Sequence, residues 1–570
     1  MGIFTLGSRR GWGARAWLLS LLLLSAPLAW AQAPGWQTAV AAGGNTAIIT
    51  ASAADGGDNV YLVGRFVGTA RFGTFSLASA GAGDVFIAKW NRLAAAFTWA
   101  QRVGGRGDDY AYAVAVKGAR VYAAGSFAGT ADFGTTTLAS GGADDGFVVR
   151  LTDAGATSRI GWVQPVSGPG NEQVTALTVA NAGVYVGGEF NSPMGQLGTL
   201  AIPNASNTAN GFTADGFVAR LDDADEAGSF AWARPLGGTG TDRVNALAAV
   251  GSSLYAVGGF SNTVAFGATT LVGGSMTAFY AKLLDTGASG TIEWALASGG
   301  IVIPNAIAAT EEGVYVAGRF VFSGSWGSTS ASTGPGGGYD IFVAKLTDAG
   351  ATGSFAWALL GSGPASDYAS ALAVRGRSIY LVGGFRGTTS FGNLSLTSTG
   401  ADNSDDWFVA KVLDAGPSAT YAWVQQAGGP AYEQAFTVAL GSSGTIYVGG
   451  RAGAGASFGA LPVSGLLGDD NATLAVLAEP LVATATASPA ALAGLALYPS
   501  PAHGMATVLL PPGSGPVTLT VADALGRVVR VQPALASAGY ALDLHGLAPG
   551  VYALRVQGAA ARGVCRLVVE

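Results

Sequence analysis

The sequence predicts an all-β protein: a seven-bladed β-propeller followed by a small immunoglobulin-like β-sandwich. Two series of residues predict the propeller. A segment with the pattern Val-Tyr-x-x-Gly recurs every 60 to 70 residues, beginning at Val60, Val121, Val184, Leu254, Val314, Ile379 and Ile446. Seven tryptophans have the same period: Trp36, Trp99, Trp162, Trp232, Trp294, Trp357 and Trp423. Such a period indicates one supersecondary unit copied many times, because no single copy can bury its own apolar surface.

Each repeat is predicted to contain four short strands. In residues 162–232 these are residues 175–179, 184–190, 215–221 and 230–234, with a loop that contains Leu197-Gly198 between the second and the third. All four are rich in β-branched and aromatic residues and are bounded by Gly, Asp or Asn, as is typical of strands. Four antiparallel strands repeated seven times predict a seven-bladed β-propeller.

The two ends of the repeat array indicate how it closes. The chain enters with a lone tryptophan strand, residues 36–40, and the last repeat, which ends near residues 474–477, has no tryptophan strand of its own. Pairing these two segments would complete the seventh sheet and remove an open edge. The repeated tryptophans are predicted to pack between blades, the alternative being exposed residues that stack on a ligand.

The repeats resemble the bacterial β-propeller repeats often called SBBP. The resemblance rests on Val-Tyr-x-x-Gly, then Asp-x-Phe-Val-Ala-Lys, then Trp, then a Gly-Gly-x-Gly-x-Asp element seen at residues 237–242 and 104–108. The copy at residues 299–304 departs from that element. The resemblance covers about residues 36–478 and implies a propeller without a defined activity. The Gly-Gly pairs also resemble kelch repeats, a second propeller family.

Residues 481–494 form an Ala/Thr/Pro-rich stretch that is typical of a linker, and residues 495–570 contain alternating runs that predict a small antiparallel sandwich. The segment resembles the type A C-terminal sorting domain of type IX secretion. The matching elements are Leu497-Tyr498-Pro499-Ser500-Pro501, residues 523–527, residues 547–552 and residues 566–569. The resemblance implies a Bacteroidetes-type bacterium, the type IX secretion machinery as a partner, and a protein released outside the cell or attached to its surface.

Residues 1–31 read as a secretory signal peptide, with a basic start, an apolar stretch and an Ala-Trp-Ala cleavage site. Its removal changes the formal charge from −6 to −9, leaving 26 basic against 35 acidic residues. An acidic chain without a basic cluster disfavours nucleic acid as a partner. No later segment is apolar enough to predict a membrane span. The mature propeller is expected to occupy residues 32–480.

The residue types restrict the chemistry of the repeats. His503, His545 and Cys565 are the only residues of their kinds, and all three lie in the C-terminal segment. The repeats therefore cannot form a Ser-His-Asp site or a metal centre with His or Cys ligands. We accordingly assign no catalytic, cofactor-binding or metal residue and no cofactor from the sequence.

Carboxylate chemistry stays open, since a glycosidase needs only two acidic side chains. The candidates are the pairs Asp108-Asp109, Asp144-Asp145 and Asp222-Asp223, and the repeated Asp84, Asp145, Asp215, Asp340 and Asp406, which are interpreted as turn or strand caps. The run 222–226 is interpreted as a solvated turn, with calcium binding as the alternative. A repeated basic position is expected to pair with nearby acids rather than to line a channel; it is occupied by Lys89, Arg150, Arg220, Lys282, Lys345 and Lys411.

These observations predict a secreted or surface-displayed, non-catalytic binding or scaffold module for an extracellular glycan or protein. The loops at residues 191–213 and 321–338 are the expected contact surfaces. The alternative is an extracellular carboxylate-dependent glycan hydrolase or lyase, which requires an acidic site on one face.

Overall fold

The computed structural model describes residues 33–44, 46–180, 183–206, 213–334, 336–400, 404–441, 444–463, 470–479, 495–510, 516–523, 528–534, 539–558 and 562–570. The predicted signal peptide and linker lie outside these ranges. The chain divides into two compact units, residues up to 478 and residues from 479. Every regular element in the described ranges is a β-strand, which confirms the all-β prediction. The described residues contain no helix of the length and apolarity that a membrane crossing requires.

The first unit contains seven sets of four neighbouring antiparallel strands, one for each repeat, and we call these sets sheets 1 to 7 along the chain. Pairing with hairpin strands joins sheets 1 and 2 into one larger sheet and extends sheet 5. The strands of sheets 1 to 3 are Ala47–Ala54, Asn59–Phe66, Asp84–Asn91 and Ala96–Gly105; Asp109–Lys117, Arg120–Phe133, Thr136–Asp153 and Ser158–Ser167; and Glu172–Val179, Val184–Phe190, Asp215–Asp223 and Gly228–Leu236. Those of sheets 4 and 5 are Arg243–Val250, Ser253–Phe260, Thr277–Asp285 and Gly290–Ala297; and Gly299–Thr310, Gly313–Trp326, Asp340–Asp348 and Gly353–Ser362. Sheet 6 comprises Tyr368–Arg375, Ser378–Phe385, Asp406–Asp414 and Ala419–Ala427, and sheet 7 comprises Gln434–Leu440, Thr445–Ala452, Asn471–Ala478 and Trp36–Ala41.

Within each sheet the chain runs back and forth between neighbouring strands. In repeat 3, Val184 is opposite Leu221 and Phe190 is opposite Asp215, so the second and third strands pair along their full lengths. The predicted strands of this repeat are all present, but the first begins at residue 172 and the fourth covers residues 228–236. They extend into polar residues because the antiparallel partner continues alongside them.

The segment predicted as a loop around Leu197-Gly198 is instead a short β-hairpin, so that prediction was wrong. Its strands are Met194–Leu197 and Leu200–Pro203, and Gly198 adopts the left-handed φ of +59° that the tight turn requires. Separate hairpin strands occur in four further repeats, at Thr69–Phe72 and Phe75–Ala78, Thr263–Phe266 and Thr269–Val272, Thr388–Phe391 and Leu394–Thr397, and Ser457–Phe458 and Leu461–Pro462. In repeats 2 and 5 the second strand itself runs into the hairpin, and Thr329–Ser332 completes that of repeat 5.

Each hairpin pairs with the segment that precedes its own repeat, and in five of the seven repeats that segment is a Gly-Gly pair. Ala131 is opposite Gly105, Val264 is bridged to Gly238, and the short strand Gly43–Gly44 pairs with the hairpin of repeat 1. A Cβ atom on Gly105 would lie 1.7 Å from the carbonyl oxygen of Thr130. The element therefore needs glycine, because a backbone strand passes directly over it.

Seven apolar clusters lie between consecutive sheets. One joins sheets 1 and 2, and others join each following pair up to sheets 6 and 7. The remaining cluster joins sheet 7 to sheet 1 and contains Tyr447 beside Trp90, whose ring centroids are 6.1 Å apart. The hydroxyl groups of Ser52 and Thr437 are also hydrogen-bonded across this junction, at 2.8 Å.

The first strand of the chain completes sheet 7. Val40 is opposite Leu474 and Trp36 is opposite Leu477, which confirms the predicted pairing of the two ends of the array. Trp36 is buried against Phe458, with ring centroids 5.1 Å apart. The other six repeated tryptophans are also buried, between 2% and 6% exposed, so the packing interpretation is confirmed over the ligand-stacking one.

The second unit consists of two antiparallel sheets around one apolar core. The three-stranded sheet contains Ala496–Tyr498, Met505–Leu509 and Tyr540–Asp543, and the four-stranded sheet contains Val517–Ala522, Val528–Ala534, Gly550–Gly558 and Arg562–Val569. Leu519, Leu542 and Leu554 are fully buried between them. The alternating runs that predicted short strands are therefore strands in the structure.

Candidate functional site

A cavity with a volume of about 640 Å³ lies in the first unit. Strands from repeats 1, 5, 6 and 7 contribute to its wall, which mixes hydroxyl, amide and aromatic groups with one arginine. The lining residues are Ile48, Thr50, Asn305, Arg319, Tyr339, Ser366, Tyr368, Ser370, Gln434 and Phe436. A cavity of this size is typical of a site for a small organic ligand.

Arg319 is the only charged residue of that wall. It follows the glycine of the Val-Tyr-x-x-Gly segment of repeat 5, and its guanidinium lies 4.9 Å from the ring centroid of Tyr339 and 6.0 Å from that of Tyr368. These distances place the cation over two aromatic rings. Its Nε atom is buried and has no hydrogen-bond partner in the described part of the chain. No carboxylate there lies within ion-pair distance of Arg319.

The equivalent position in two other repeats also carries an arginine, but both are neutralised. Arg65 forms an ion pair with Asp108, and Arg451 lies 2.8 Å from Asp470. Asp108 directly precedes the acid of the Gly-Gly-x-Gly-x-Asp element, and in repeat 6 Ser366 stands at that place. Ser366, which lines the same cavity as Arg319, therefore carries a hydroxyl group where Asp108 offers Arg65 a carboxylate.

Asp405 lies close behind the cavity wall, but its charge is already engaged. It accepts hydrogen bonds from the hydroxyl of Tyr368 at 2.5 Å and from Nε of Arg386 at 2.9 Å. Burial and the charge of Asp405 raise the pKa of Tyr368, so its phenol stays protonated and donates to the carboxylate. The amide of Gln434 also contacts Asp405, at 3.3 Å. These bonds fix one side of the cavity.

The repeated acids are buried caps, as their spacing predicts. Asp84, Asp145, Asp215 and Asp406 each accept a hydrogen bond from a backbone amide four to ten residues earlier, and Asp340 accepts one at 3.4 Å from Gly363. A second acid in the Gly-Gly element does the same, since Gly238 donates to Asp242 at 2.7 Å. Neither set lines the cavity.

Five acids of this second kind have raised pKa values. Burial raises the pKa of Asp109, Glu172, Asp242, Asp367 and Glu433 to about 7 in each case, and each also lies near the cap acid of the preceding sheet. Perturbed acids are a common feature of active sites. Here, however, all five side chains are fully buried, so a polymer substrate cannot contact them.

The repeated basic residues pair with acids, which confirms the pairing prediction for five of the six. Each acid comes from the next repeat, as in Lys89 with Asp153 and Lys345 with Asp414, both at 2.6 Å. The same aspartates also accept from a tyrosine and from the repeated tryptophan, for example Tyr61 at 2.7 Å and Trp99 at 3.0 Å. For Lys411, its Nζ atom lies 5.4 Å from the ring centroid of Tyr380.

The acidic run at residues 222–226 is an ion-paired turn rather than a simply solvated one. Asp223 lies 3.5 Å from both Arg120 and Arg150, and Glu226 lies 3.3 Å from Arg159. Among the described residues, no group of three acidic, His or Cys side chains is arranged to hold a metal ion. The run thus joins repeats 2 and 3.

The two predicted contact loops contain regular structure in their described parts, and residues 207–212 and 335 of these loops lie outside the described residues. Residues 194–203 and 323–332 belong to the hairpins, and Phe322 beside the second is 65% exposed. The cavity lies elsewhere, and sequence reasoning did not find Arg319. The available signal was the sixth position of the repeated segment, where arginine occurs in three copies, together with the missing acid at Ser366.

Comparison with known proteins identifies only the second unit. Residues 496–570 match the family described as "Secretion system C-terminal sorting domain", which is a type IX sorting domain. No curated protein matches the chain in sequence. Among solved structures, a match is a chain described as the extracellular domain of a hybrid two component system from B. thetaiotaomicron. It has 7% identity and a TM-score of 0.13, over 92% of this chain and 98% of that chain. So low a TM-score carries no argument about this protein.

The sorting domain indicates export by type IX secretion and a location at the cell surface or outside the cell.

Proposed function

We propose that residues 32–480 form a closed seven-bladed β-propeller that acts as a non-catalytic binding module for an extracellular glycan or surface protein. The seven sheets, the seven clusters between them and the pairing of the chain's first strand with sheet 7 support the closed arrangement. Residues 1–31 are proposed to be a signal peptide, residues 481–494 a linker and residues 495–570 an immunoglobulin-like sorting domain. The source is proposed to be a Bacteroidetes-type bacterium with SBBP-like repeats.

The cavity beside Arg319 is the observation that carries the binding role. Its wall combines two tyrosines with side-chain hydroxyls and amides, and these groups recognise sugars or peptides by stacking and hydrogen bonding. A binding role needs no pair of exposed carboxylates, whereas the alternative hydrolase or lyase does. The raised pKa values of the buried acids are the one observation in favour of that alternative, and their burial opposes it.

A combined binding and turnover assay separates the two functions. The purified secreted protein would be applied to a glycan array and to cell surfaces, and reducing-sugar release would be measured on the glycans it retains. We expect retention without release. Release that disappears on substitution of a single Asp or Glu would establish the enzyme instead. A protein that shows no retention and no release would contradict both proposals.

A further inference from the structure

We propose that the cavity binds an acidic carbohydrate, with Arg319 contacting a sugar carboxylate; this rests on the binding role proposed above. The starting point is the charge of Arg319. A guanidinium that is partly withdrawn from water and lacks a counterion is costly to keep, and a bound carboxylate supplies that counterion. The planar donors of arginine match the two oxygens of a carboxylate.

The internal comparison between repeats strengthens this assignment. Arg65 and Arg319 occupy the same position, and each lies about 5 Å from a tyrosine ring, Tyr110 or Tyr339. Arg65 obtains its counterion from Asp108 within the protein. At Ser366 the chain supplies none, although Ser366 Oγ still accepts from the backbone amide of Tyr339 at 3.3 Å. The cavity therefore retains the arginine but lacks its internal anion.

The rest of the wall favours a sugar as the carrier of the carboxylate. The rings of Tyr339 and Tyr368 offer apolar surface for the face of a pyranose. Asn305 and Gln434 donate their amide N–H groups to protein acceptors, while their amide oxygens accept no bond from any described residue. Such oxygens suit the hydroxyl groups of a saccharide.

The overall charge limits how acidic the ligand is. The mature chain has a formal charge of −9, so a dense polyanion such as nucleic acid is repelled at long range. One arginine neutralises one carboxylate. The volume of about 640 Å³ accommodates a short oligosaccharide rather than a single small ion. A uronic-acid or sialic-acid sugar with isolated carboxylates fits these limits.

Calorimetric titration of the mature protein tests the proposal with matched probes. The probes are trisaccharides of galacturonate, mannuronate and guluronate, and 3′-sialyllactose, each compared with its neutral methyl ester. We expect at least one acid to bind and its ester to bind at least about tenfold more weakly, because a charge-assisted bond is lost. Equal binding of acid and ester, or no binding to any acid, would overturn the proposal.

Three variants locate the contact. Arg319→Gln and Ser366→Asp should each weaken binding of the acid about tenfold or more, the second by giving Arg319 the internal partner that Arg65 has. Arg65→Gln changes the equivalent residue outside the cavity and should leave the affinity within about twofold. Melting temperatures of the three variants verify folding, and the Ser366→Asp variant retains the arginine if Arg319→Gln fails to fold.

The outcomes also distinguish this proposal from the broader one. If the protein binds neutral glycans or cell surfaces and Arg319→Gln has no effect, the acidic-sugar site is contradicted while the binding role stands. If the unmodified protein is retained by no glycan or surface protein, both are contradicted.

Discussion

At the scale of single residues, one aspartate in each of five junctions connects three side chains of the preceding repeat. Asp285 accepts from Tyr185 at 2.6 Å, from Arg220 at 3.0 Å and from Trp232 at 3.0 Å. Burial alone would raise the pKa of Asp285, but the hydrogen bonds from Tyr185 and Trp232 and the charge of Arg220 outweigh it and lower the pKa. The repeated tryptophan is therefore fixed by its N–H group as well as by packing.

Replacing this aspartate should destabilise the protein strongly. Asp285→Ala leaves the Tyr185 hydroxyl and the Trp232 indole N–H unpaired and removes the buried ion-pair partner of Arg220, which costs about 3–5 kcal/mol. Urea denaturation measures the change in the free energy of unfolding. Asp222 contacts the same Arg220 but its side chain is 50% exposed, so Asp222→Ala is the control and should cost less than about 1 kcal/mol. Equal costs for the two variants would contradict the junction role.

The buried acid Asp242 should make stability depend on pH. Its pKa is about 7 in the folded protein, owing to burial and to nearby Asp215, against about 3.9 in an unfolded chain. Between these values the folded protein holds a proton that the unfolded chain releases. The contribution of Asp242 is thus fully present below about pH 4 and is lost as the pH rises through 7. Acids with lowered pKa values, such as Asp285, behave in the opposite way: their contribution to stability is lost only below about pH 4.

We therefore expect the free energy of unfolding to be higher at pH 5 than at pH 8. Asp242→Asn, which stays neutral, should reduce that difference by about 1 kcal/mol or more, because one pKa unit corresponds to about 1.4 kcal/mol. Denaturation at the two pH values gives the comparison. An unchanged difference in the variant would show that Asp242 is ionised in the folded protein throughout this range.

The residues of the candidate site show where sequence reasoning reached its limit. The caps at Asp84 and its equivalents, and the pairing of Lys89, followed from repeated spacing, since a position present in most repeats has a common structural role. Arg319 is significant for the opposite reason: of the three arginines at the sixth position of the repeated segment, it alone has no ion-pair partner among the described residues. The sequence shows that Ser366 is not an acid. The consequence for Arg319 becomes clear only from the structure, in which Arg65 and Asp108 form an ion pair between two repeats.

At the scale of elements, the hairpin is the feature that the sequence did not predict. Its strands are four residues long in most repeats, too short for an alternating pattern to stand out from a loop. Their burial alternates all the same, as in Thr263–Phe266, where Val264 and Phe266 are buried. The four longer strands were predictable because each carries a continuous apolar run between turn residues.

The contact between hairpin and Gly-Gly element predicts a specific sensitivity. A Cβ atom on Gly238 would lie 1.9 Å from the carbonyl oxygen of Thr263, so Gly238→Ala must displace backbone and should cost about 1–3 kcal/mol. Gly259 in the same repeat has open space around its Cα, and Gly259→Ala is the matched control with an expected change below about 1 kcal/mol. Chemical denaturation compares them. A tolerated Gly238→Ala would contradict the close approach of the hairpin.

At the scale of the whole molecule, the junction between repeats 7 and 1 differs from the others. Val476 occupies the basic position, opposite Tyr447, and Arg92 stands where five of the other junctions have the aspartate. Both partners of the usual ion pair are thus replaced together, and Arg92 pairs instead with Asp58 at 2.6 Å. At this junction Tyr447 packs against Trp90, and the N-terminal strand pairs with the strand Asn471–Ala478 of sheet 7. These contacts connect the two repeats in place of the ion pair.

Closure by the N-terminal strand is the central claim, and deletion of residues 32–42 tests it most directly. The deletion removes buried Trp36 and one edge of sheet 7, and exposes the strand Asn471–Ala478. We predict that calorimetry will show the melting temperature of the mature protein lowered by about 10 °C or more, since each lost kcal/mol lowers it by a few degrees. An unchanged melting temperature would contradict a propeller closed by its first strand.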